Sequence, residues 1–144
     1  MNNTISVGNA FPLLPEGEYE VCYVYHETWN YMGRNPKVAF WFRVINIGEY
    51  FGTLIPRYFN VKQLKGKPAK NGRFVPGRSS DFLLEYCNLF PRRITRLDRI
   101  PLSLLENEII KVQVKTVTKN REQRSMPEVL QYSVIKHWLA VVSR

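Results

Sequence analysis

Residues 37–47 have the sequence KVAFWFRVINI, in which large apolar side chains recur at every second position. This alternation predicts a β-strand with one face in the core and one face toward solvent. The predicted inner set is Val38, Phe40, Phe42 and Val44, and the predicted outer set is Lys37, Ala39, Trp41 and Arg43. The stretch therefore indicates a mainly β fold.

Two further strands are predicted beside this one. Residues 18–26 (EYEVCYVYH) are rich in aromatic and β-branched side chains and alternate with period two. The side chains predicted to share one face of that strand are Tyr19, Val21, Tyr23 and Tyr25. The turn-forming residues of 30–36 lead to the second strand, and a turn near Gly48 leads to a third at residues 50–61. The three strands are predicted to form a meander.

The second half of the chain predicts one helix and two more strands. Ser79 or Ser80 is the expected N-cap, and apolar residues then repeat at helical spacing as far as Pro91. The fourth strand, a polar hairpin loop and the fifth strand are predicted at residues 107–118, 119–128 and 130–142. Three strands, a helix and two strands (β-β-β-α-β-β) is the element order of the OB-fold, a five-stranded closed or partly open barrel. Other small barrels and α+β sheets share this order.

Charge is unevenly distributed along the chain. The 144 residues hold 21 Lys and Arg against 12 Asp and Glu, a formal net charge of +9. Residues 1–50 have three bases and five acids, about −2, whereas residues 51–144 have eighteen bases and seven acids, about +11. A separation of this size predicts a positive surface that attracts a polyanion.

Residues 50–80 contain no acid at all. Their seven cations are Arg57, Lys62, Lys65, Lys67, Lys70, Arg73 and Arg78, interleaved with Tyr58, Phe59 and Phe74. Cations that neutralise phosphates, together with rings that stack on bases, are typical of proteins that bind single-stranded nucleic acid. The Lys-, Gly- and Pro-rich residues 62–78 are predicted to form an exposed, mobile loop.

The length predicts a single domain, 1–144, with residues 1–14 as an N-terminal extension. The start of the chain is polar and does not have the pattern of a signal peptide, and no apolar stretch is long enough for a membrane span, so a soluble cytoplasmic protein is expected. Cys22 and Cys87 lie among apolar neighbours and are expected to be core thiols that need no disulfide.

Three short pieces resemble a known family. PEGEY at 15–19, GEYFG at 48–52 and QYSVI at 131–135 are similar to pieces of the OB-fold single-stranded-DNA-binding proteins of phages, plasmids and integrative mobile elements. The resemblance spans residues 15–136. The resemblance implies that the partner is single-stranded DNA. RNA and a second copy of the chain are further candidate partners. The final residues, WLAVVSR, differ from the acidic tail of the housekeeping bacterial single-strand binders, so recruitment through such a tail is not expected.

The OB-fold, together with the charge pattern, assigns a binding surface. Trp41 and Arg43 are expected on its outer face, and Trp29 and Tyr31 in the loop between the first two strands. The full set of expected nucleic-acid contacts is Trp29, Tyr31, Arg34, Lys37, Trp41, Arg43, Arg57, Tyr58, Lys62, Lys65, Lys67, Lys70, Arg73, Phe74, Arg78, Lys111, Lys115, Lys119, Arg121 and Arg124. Trp138 is expected to be in the core, and either Tyr58 or Phe59 must face inward.

The function predicted from these residues is binding of single-stranded DNA with little sequence specificity, in replication, recombination or transfer of a mobile element. The alternative is a protein-interaction module whose basic surface binds an acidic partner. An enzyme is not expected, because His26 and His137 are the only histidines and the acids are not clustered as a two-metal nuclease requires. No cofactor or metal is expected, since the cysteines and histidines lack close ligand spacing.

Overall fold

The computed structural model describes Thr4 and residues 11–142. They form a mainly β structure with one α-helix. The elements are β1 Gly17–Tyr31, β2 Asn35–Val44, β3 Leu54–Asn60, β4 Gln63–Lys65, β5 Arg73–Val75, α1 Asp81–Leu89, β6 Ile109–Val117 and β7 Tyr132–Val141, with single 3₁₀ turns at Leu102–Leu105 and Glu128–Leu130.

Five strands form one antiparallel sheet in the order β3-β2-β1-β6-β7, and β4 and β5 form a separate hairpin. The predicted element order is wrong in one respect, because two short strands separate β3 from the helix. The edge strands β3 and β7 lie against each other, with the Phe59 and Trp138 ring centroids 5.0 Å apart. Within the described residues no backbone ladder joins them, so the predicted barrel is not closed.

The alternation predicted for β2 is confirmed. Its four inner side chains are fully buried, whereas on the other face Arg43 is exposed and Trp41 half-buried. The strand ends at Val44, earlier than predicted, because the N–H of Glu20 in β1 donates to the side-chain Oδ1 of Asn46 at 2.7 Å and not to a backbone carbonyl, and the chain then turns. β3 begins only at Leu54.

A β-bulge in β1 changes the direction of its second half. Tyr23 pairs with Phe42, but Tyr25 pairs with Trp41, which leaves Val24 as the extra residue. Since a one-residue slip moves every later side chain to the opposite face, Tyr25 points away from the core and the prediction that it shares a face with Tyr23 is wrong. The strand also extends to Tyr31, well beyond its predicted end.

The helix packs its aromatic side chains onto the inner face of the sheet. The Phe82 ring stacks on Phe40 at 5.5 Å, and the buried Trp138 meets Phe40 edge-on at 5.2 Å. Ser80 is the N-cap, as predicted, and its Oγ accepts a hydrogen bond of 3.2 Å from the N–H of Leu83. Among the residues described, no helix has the length and apolar character needed to cross a membrane.

The two thiols are less buried than predicted. Cys22 in β1 and Cys87 in α1 are both half-buried and both free. They lie at the border of the core rather than in its centre.

Part of the predicted N-terminal extension belongs to the fold. Residues 1–3 and 5–10 lie outside the described residues. Leu14, by contrast, is buried, and its N–H donates a 2.7 Å hydrogen bond to the Oγ of Ser133 in β7. The carbonyl of Pro12 accepts from the Ser133 N–H at 2.9 Å, so residues 12–14 are attached to the edge of the sheet.

Residues 62–78 were predicted to be an exposed, mobile loop. Most of their side chains are exposed, but part of the backbone forms the β4–β5 hairpin, which is docked on β1. The N–H of Thr28 donates to the carbonyl of Ala69 at 3.0 Å, and the N–H of Asn71 donates to the carbonyl of His26 at 2.6 Å. β6 pairs with β1 only as far as Cys22, so the hairpin covers an edge that would otherwise be left unpaired.

His26, on the inner side of β1, also binds the same hairpin. Its Nε2 lies 2.9 Å from the carbonyl oxygen of Gly72, and its Nδ1 lies 2.9 Å from the Tyr23 hydroxyl. Burial lowers the pKa of His26, which favours the neutral ring. In that form Nε2–H donates to Gly72, and Nδ1 accepts from Tyr23.

Gly72→Ala is expected to lower the free energy of unfolding by about 1–3 kcal/mol, the usual cost of overpacking. A Cβ at this position would overlap with the Oγ1 of Thr28, which belongs to the docking contact. Chemical denaturation followed by circular dichroism measures the change. Gly77→Ala is the matched control, because its Cβ would meet nothing closer than Ser80 Cβ at 3.8 Å. Equal stability of the two variants would contradict tight docking at Gly72.

Candidate functional site

Four rings lie side by side on the solvent side of the three strands β1, β2 and β3. This aromatic face consists of Tyr25, Trp29, Trp41 and Tyr58, all half-buried. Tyr25 stacks on Trp41 with centroids 6.3 Å apart and planes 17° apart, and Trp29 meets Tyr58 edge-on at 5.8 Å. The rings thus support one another, while each keeps part of its surface in solvent.

The strand register explains why these rings converge. Ala39 in β2 lies opposite Glu27 in β1 and opposite Tyr58 in β3. Although it belongs to the outer face, Ala39 is completely buried. A methyl group at this central position leaves room for the neighbouring large side chains to cover it, which a larger residue would prevent.

A shallow hollow of about 270 Å³ opens between the rings. Phe11, Glu27 and Thr28 line it together with Trp29, Trp41 and Tyr58. The indole Nε1 of Trp41 donates a hydrogen bond of 3.0 Å to the Glu27 carboxylate. The aromatic face therefore has one negative charge at its centre.

The phenols of the aromatic face stay protonated at neutral pH. Burial, and after it the neighbouring Tyr132, Glu27 and Tyr25, raises the pKa of Tyr58 to about 12. The pKa of Tyr25 is also raised, by burial and then by Glu27. Both hydroxyls are therefore neutral hydrogen-bonding groups, and neither adds a negative charge.

Cations frame the aromatic face. The Nζ of Lys70, carried by the docked hairpin, lies 4.9 Å from the centroid of the Tyr25 ring. The Nζ of Lys37 lies 5.4 Å from the Tyr31 ring at the end of β1. Arg43 extends the outer row of β2 beyond Trp41, and Arg34 is exposed in the turn before β2. The positive groups thus lie around the rings, and the carboxylate of Glu27 lies among them.

The loop before β7 approaches the turn after β1. Arg121 Nη1 lies 3.4 Å from the Tyr31 hydroxyl and 3.1 Å from the sulfur of Met32. Lys119 and Arg124 are exposed in the same loop, with Arg124 3.8 Å from the Glu122 carboxylate. These two loops extend the basic border beyond the end of the sheet.

The other predicted cations are exposed, but they lie on different elements. Lys62, Lys65, Lys67, Arg73 and Arg78 belong to the hairpin and its connections. Lys111 and Lys115 share the outer face of β6, as predicted, and Lys111 lies 4.0 Å from Glu18. Within the described part of the chain, none of these seven cations lies over a ring of the aromatic face, in contrast to Lys70.

Two predicted contact residues face inward instead. The guanidinium of Arg57 is 11% exposed, binds the Glu85 carboxylate of α1 and lies 4.0 Å from the Phe59 ring centroid. Phe74 packs edge-on against Phe82 at 5.5 Å. Arg57 and Tyr58 are consecutive in β3 and point to opposite faces, so only one of them can face solvent. Phe74 closes one end of the core. Of the pair left open in the sequence, Tyr58 faces outward and Phe59 inward.

Three residues of the site were not predicted. Tyr25 was predicted to share a face with Tyr23, because period-two alternation gives no sign of a bulge. Glu27 and Phe11 reach the hollow only through the tertiary fold. Trp29 and Tyr31 were predicted in the loop between the first two strands, but they lie in β1.

Within residues 11–142 and Thr4, no group of three His, Cys, Asp or Glu side chains is placed to hold a metal ion. No family model, curated protein or solved structure matches the chain. The geometry of the aromatic face and its charges therefore provide the basis for a functional proposal.

Proposed function

We propose that the chain binds single-stranded DNA on the aromatic face, with little sequence specificity and without catalysis. The observation that supports this most directly is the set of four partly exposed rings on three neighbouring strands, framed by Lys37, Arg43 and Lys70. Rings of this kind stack on bases, and each stacked base contributes about 1–3 kcal/mol.

Single strands fit this surface better than a duplex does. In a duplex the faces of the bases are already stacked, so side-chain rings cannot reach them. The cations around the rings would neutralise phosphates and release counterions, which makes binding weaker as salt increases. Because every base has a π-face, stacking discriminates little between sequences.

The fold supports the proposal that the sheet is an OB-type barrel left open between β3 and β7. In the OB-fold, the second and third strands and the loops after the first and fourth strands form the usual oligonucleotide face. Here Trp41 and Tyr58 lie on β2 and β3, and Arg121 brings the loop after β6 to the turn after β1. On this proposal the biological role is to protect or present single-stranded DNA during replication, recombination or transfer of a mobile element.

The test is a titration of the pure protein with fluorescent oligo(dT) about 30 nucleotides long, long enough for several OB-type sites, followed by anisotropy. The matching duplex and the matching RNA are titrated in parallel, at low and high salt. Tight oligo(dT) binding that weakens with salt and far exceeds duplex binding is expected. Equal, weak binding to all three would reduce the basic surface to general charge attraction and refute the proposal.

Glu27→Gln is expected to tighten oligo(dT) binding about two- to fivefold, the effect of one exposed charge interaction of ~0.5–1 kcal/mol. The amide keeps an oxygen that can accept from the Trp41 indole, but it removes the negative charge from the centre of the face. Anisotropy titration at low salt measures the change. Glu106→Gln, an exposed acid outside the aromatic face, is the control and should leave affinity unchanged. Weaker binding by Glu27→Gln would show that the carboxylate itself contacts the ligand.

A further inference from the structure

A second hollow, of about 560 Å³, lies between the β4–β5 hairpin and residues 97–102. It shares no lining residue with the hollow of the aromatic face. The residues on its two sides are separated in sequence by the helix. We call it the hairpin pocket.

The floor of the hairpin pocket is apolar. Phe74 and Val75 line it from the hairpin, and Ile100 and Leu102 line it from the opposite segment. Leu97, at the same pocket, is 56% exposed, which is high for a leucine side chain. An apolar side chain of a partner would remove this surface from water.

The charged groups at the pocket are mainly cations. Lys65, Arg73 and Arg99 are exposed, and within the described residues none of them has a carboxylate within 4.0 Å. Asp98 is the one acid among the lining residues, and the guanidinium of Arg96 holds it with hydrogen bonds of 3.1 and 2.8 Å. Three positive charges around an apolar floor are therefore left without a partner.

We propose that the hairpin pocket binds an acidic segment of another protein, with one or two apolar side chains on the floor and at least two flanking carboxylates at Lys65, Arg73 and Arg99. The complementarity of charge is the main argument, because buried apolar contact combined with opposite charge gives both affinity and specificity. This site is separate from the proposed DNA surface and does not depend on it.

The lining residues favour an acidic peptide over two other kinds of anion, a nucleic acid and a single alkyl carboxylate. Every lining residue is either apolar or charged, with no Asn, Gln, Ser or Thr among them. A nucleobase on the floor would lose hydrogen bonds at its polar edge, which is costly. A single alkyl carboxylate would neutralise only one of the three cations.

The experiment uses a fluorescein-labelled octapeptide with a central leucine and phenylalanine between aspartates, titrated with the full chain and followed by anisotropy. Leu97→Asp and Arg99→Glu are each expected to weaken binding about tenfold or more. Both positions are exposed, so both variants should fold. The matched control is Lys115→Glu, an exposed cation on β6 outside the pocket, which should change affinity less than about twofold.

A second peptide, with serines in place of the leucine and phenylalanine, separates pocket binding from general charge attraction. Equal binding of both peptides, equal loss in all three variants, or no binding by the unmodified chain would overturn the proposal. Displacement of the peptide by oligo(dT), with loss of oligo(dT) binding in Leu97→Asp, would overturn it in favour of a nucleic-acid site. Because the direct peptide titration contains no DNA, its result is independent of whether the aromatic face binds oligo(dT).

Discussion

Replacing Glu85 with alanine is expected to destabilise the folded chain by about 3–5 kcal/mol, the usual effect of removing one member of a buried ion pair. The Glu85 carboxylate is 11% exposed and binds the guanidinium of Arg57 in β3. It also accepts a 2.8 Å hydrogen bond from the backbone N–H of Trp138 in β7. One helical side chain thus bridges the two edge strands that no backbone ladder joins.

The variant would leave a buried guanidinium without its anion and a buried N–H without an acceptor. Urea denaturation followed by circular dichroism measures the loss. Since a domain of this size has a total stability of about 5–15 kcal/mol, the loss is a large fraction of it. Glu85→Gln provides a milder second variant, because its amide oxygen can still accept from the Trp138 N–H.

Glu122→Ala is the control for Glu85→Ala. Glu122 lies 3.8 Å from Arg124, but both side chains are more than half exposed, so this pair should contribute less than about 1 kcal/mol. If Glu85→Ala were no less stable than Glu122→Ala, the contact between β3 and β7 would have to depend on packing alone.

Trp41→Ala is expected to weaken oligo(dT) binding by about 1–3 kcal/mol, or roughly 5- to 150-fold. Trp41 lies on β2, the middle of the three strands, where it stacks on Tyr25 and donates a hydrogen bond to Glu27, so its loss also removes support from its neighbours. Trp41→Phe keeps a ring that can stack and should retain much of the affinity. Anisotropy with labelled oligo(dT) measures both variants.

Phe51→Ala is the matched control for Trp41→Ala. Its ring is 61% exposed in the turn between β2 and β3, away from the four rings. It should leave oligo(dT) affinity unchanged. If Trp41→Ala and Trp41→Phe lost affinity equally while remaining folded, stacking would not be the role of this residue. If Phe51→Ala lost as much as Trp41→Ala, the binding surface would lie elsewhere.

Local sequence patterns were sufficient to predict the features that depend only on neighbouring residues in the chain. The alternation of residues 37–47 predicted the inner and outer faces of β2. The helix N-cap was predicted at Ser79 or Ser80, and it is Ser80. Lys111 and Lys115 were likewise placed on one face of β6. Alternation and capping are properties of a few consecutive residues, so they can be recognised without the rest of the chain.

The features that depend on contacts between distant parts of the chain were decided by the tertiary structure. The bulge at Val24 moves the side chain of Tyr25 to the outer face of β1. The bulge is set by the pairing of β1 with β2, which lies in a different part of the chain. Arg57 turns inward because Glu85, far along the chain, supplies its counter-charge. Composition predicted a basic loop at residues 62–78 without strands, but two short strands form there and hydrogen bonds to Thr28 and His26 attach them to β1.

The sequence by itself thus determined a mainly β chain with a strongly basic second half and an outward-facing Trp41. Which rings share the aromatic face with Trp41, and which cations surround it, was decided by strand register and by the docking of the hairpin. Register and docking are set by contacts between segments that are far apart in the chain. A pattern of neighbouring residues carries no information about such contacts, and only the folded structure does.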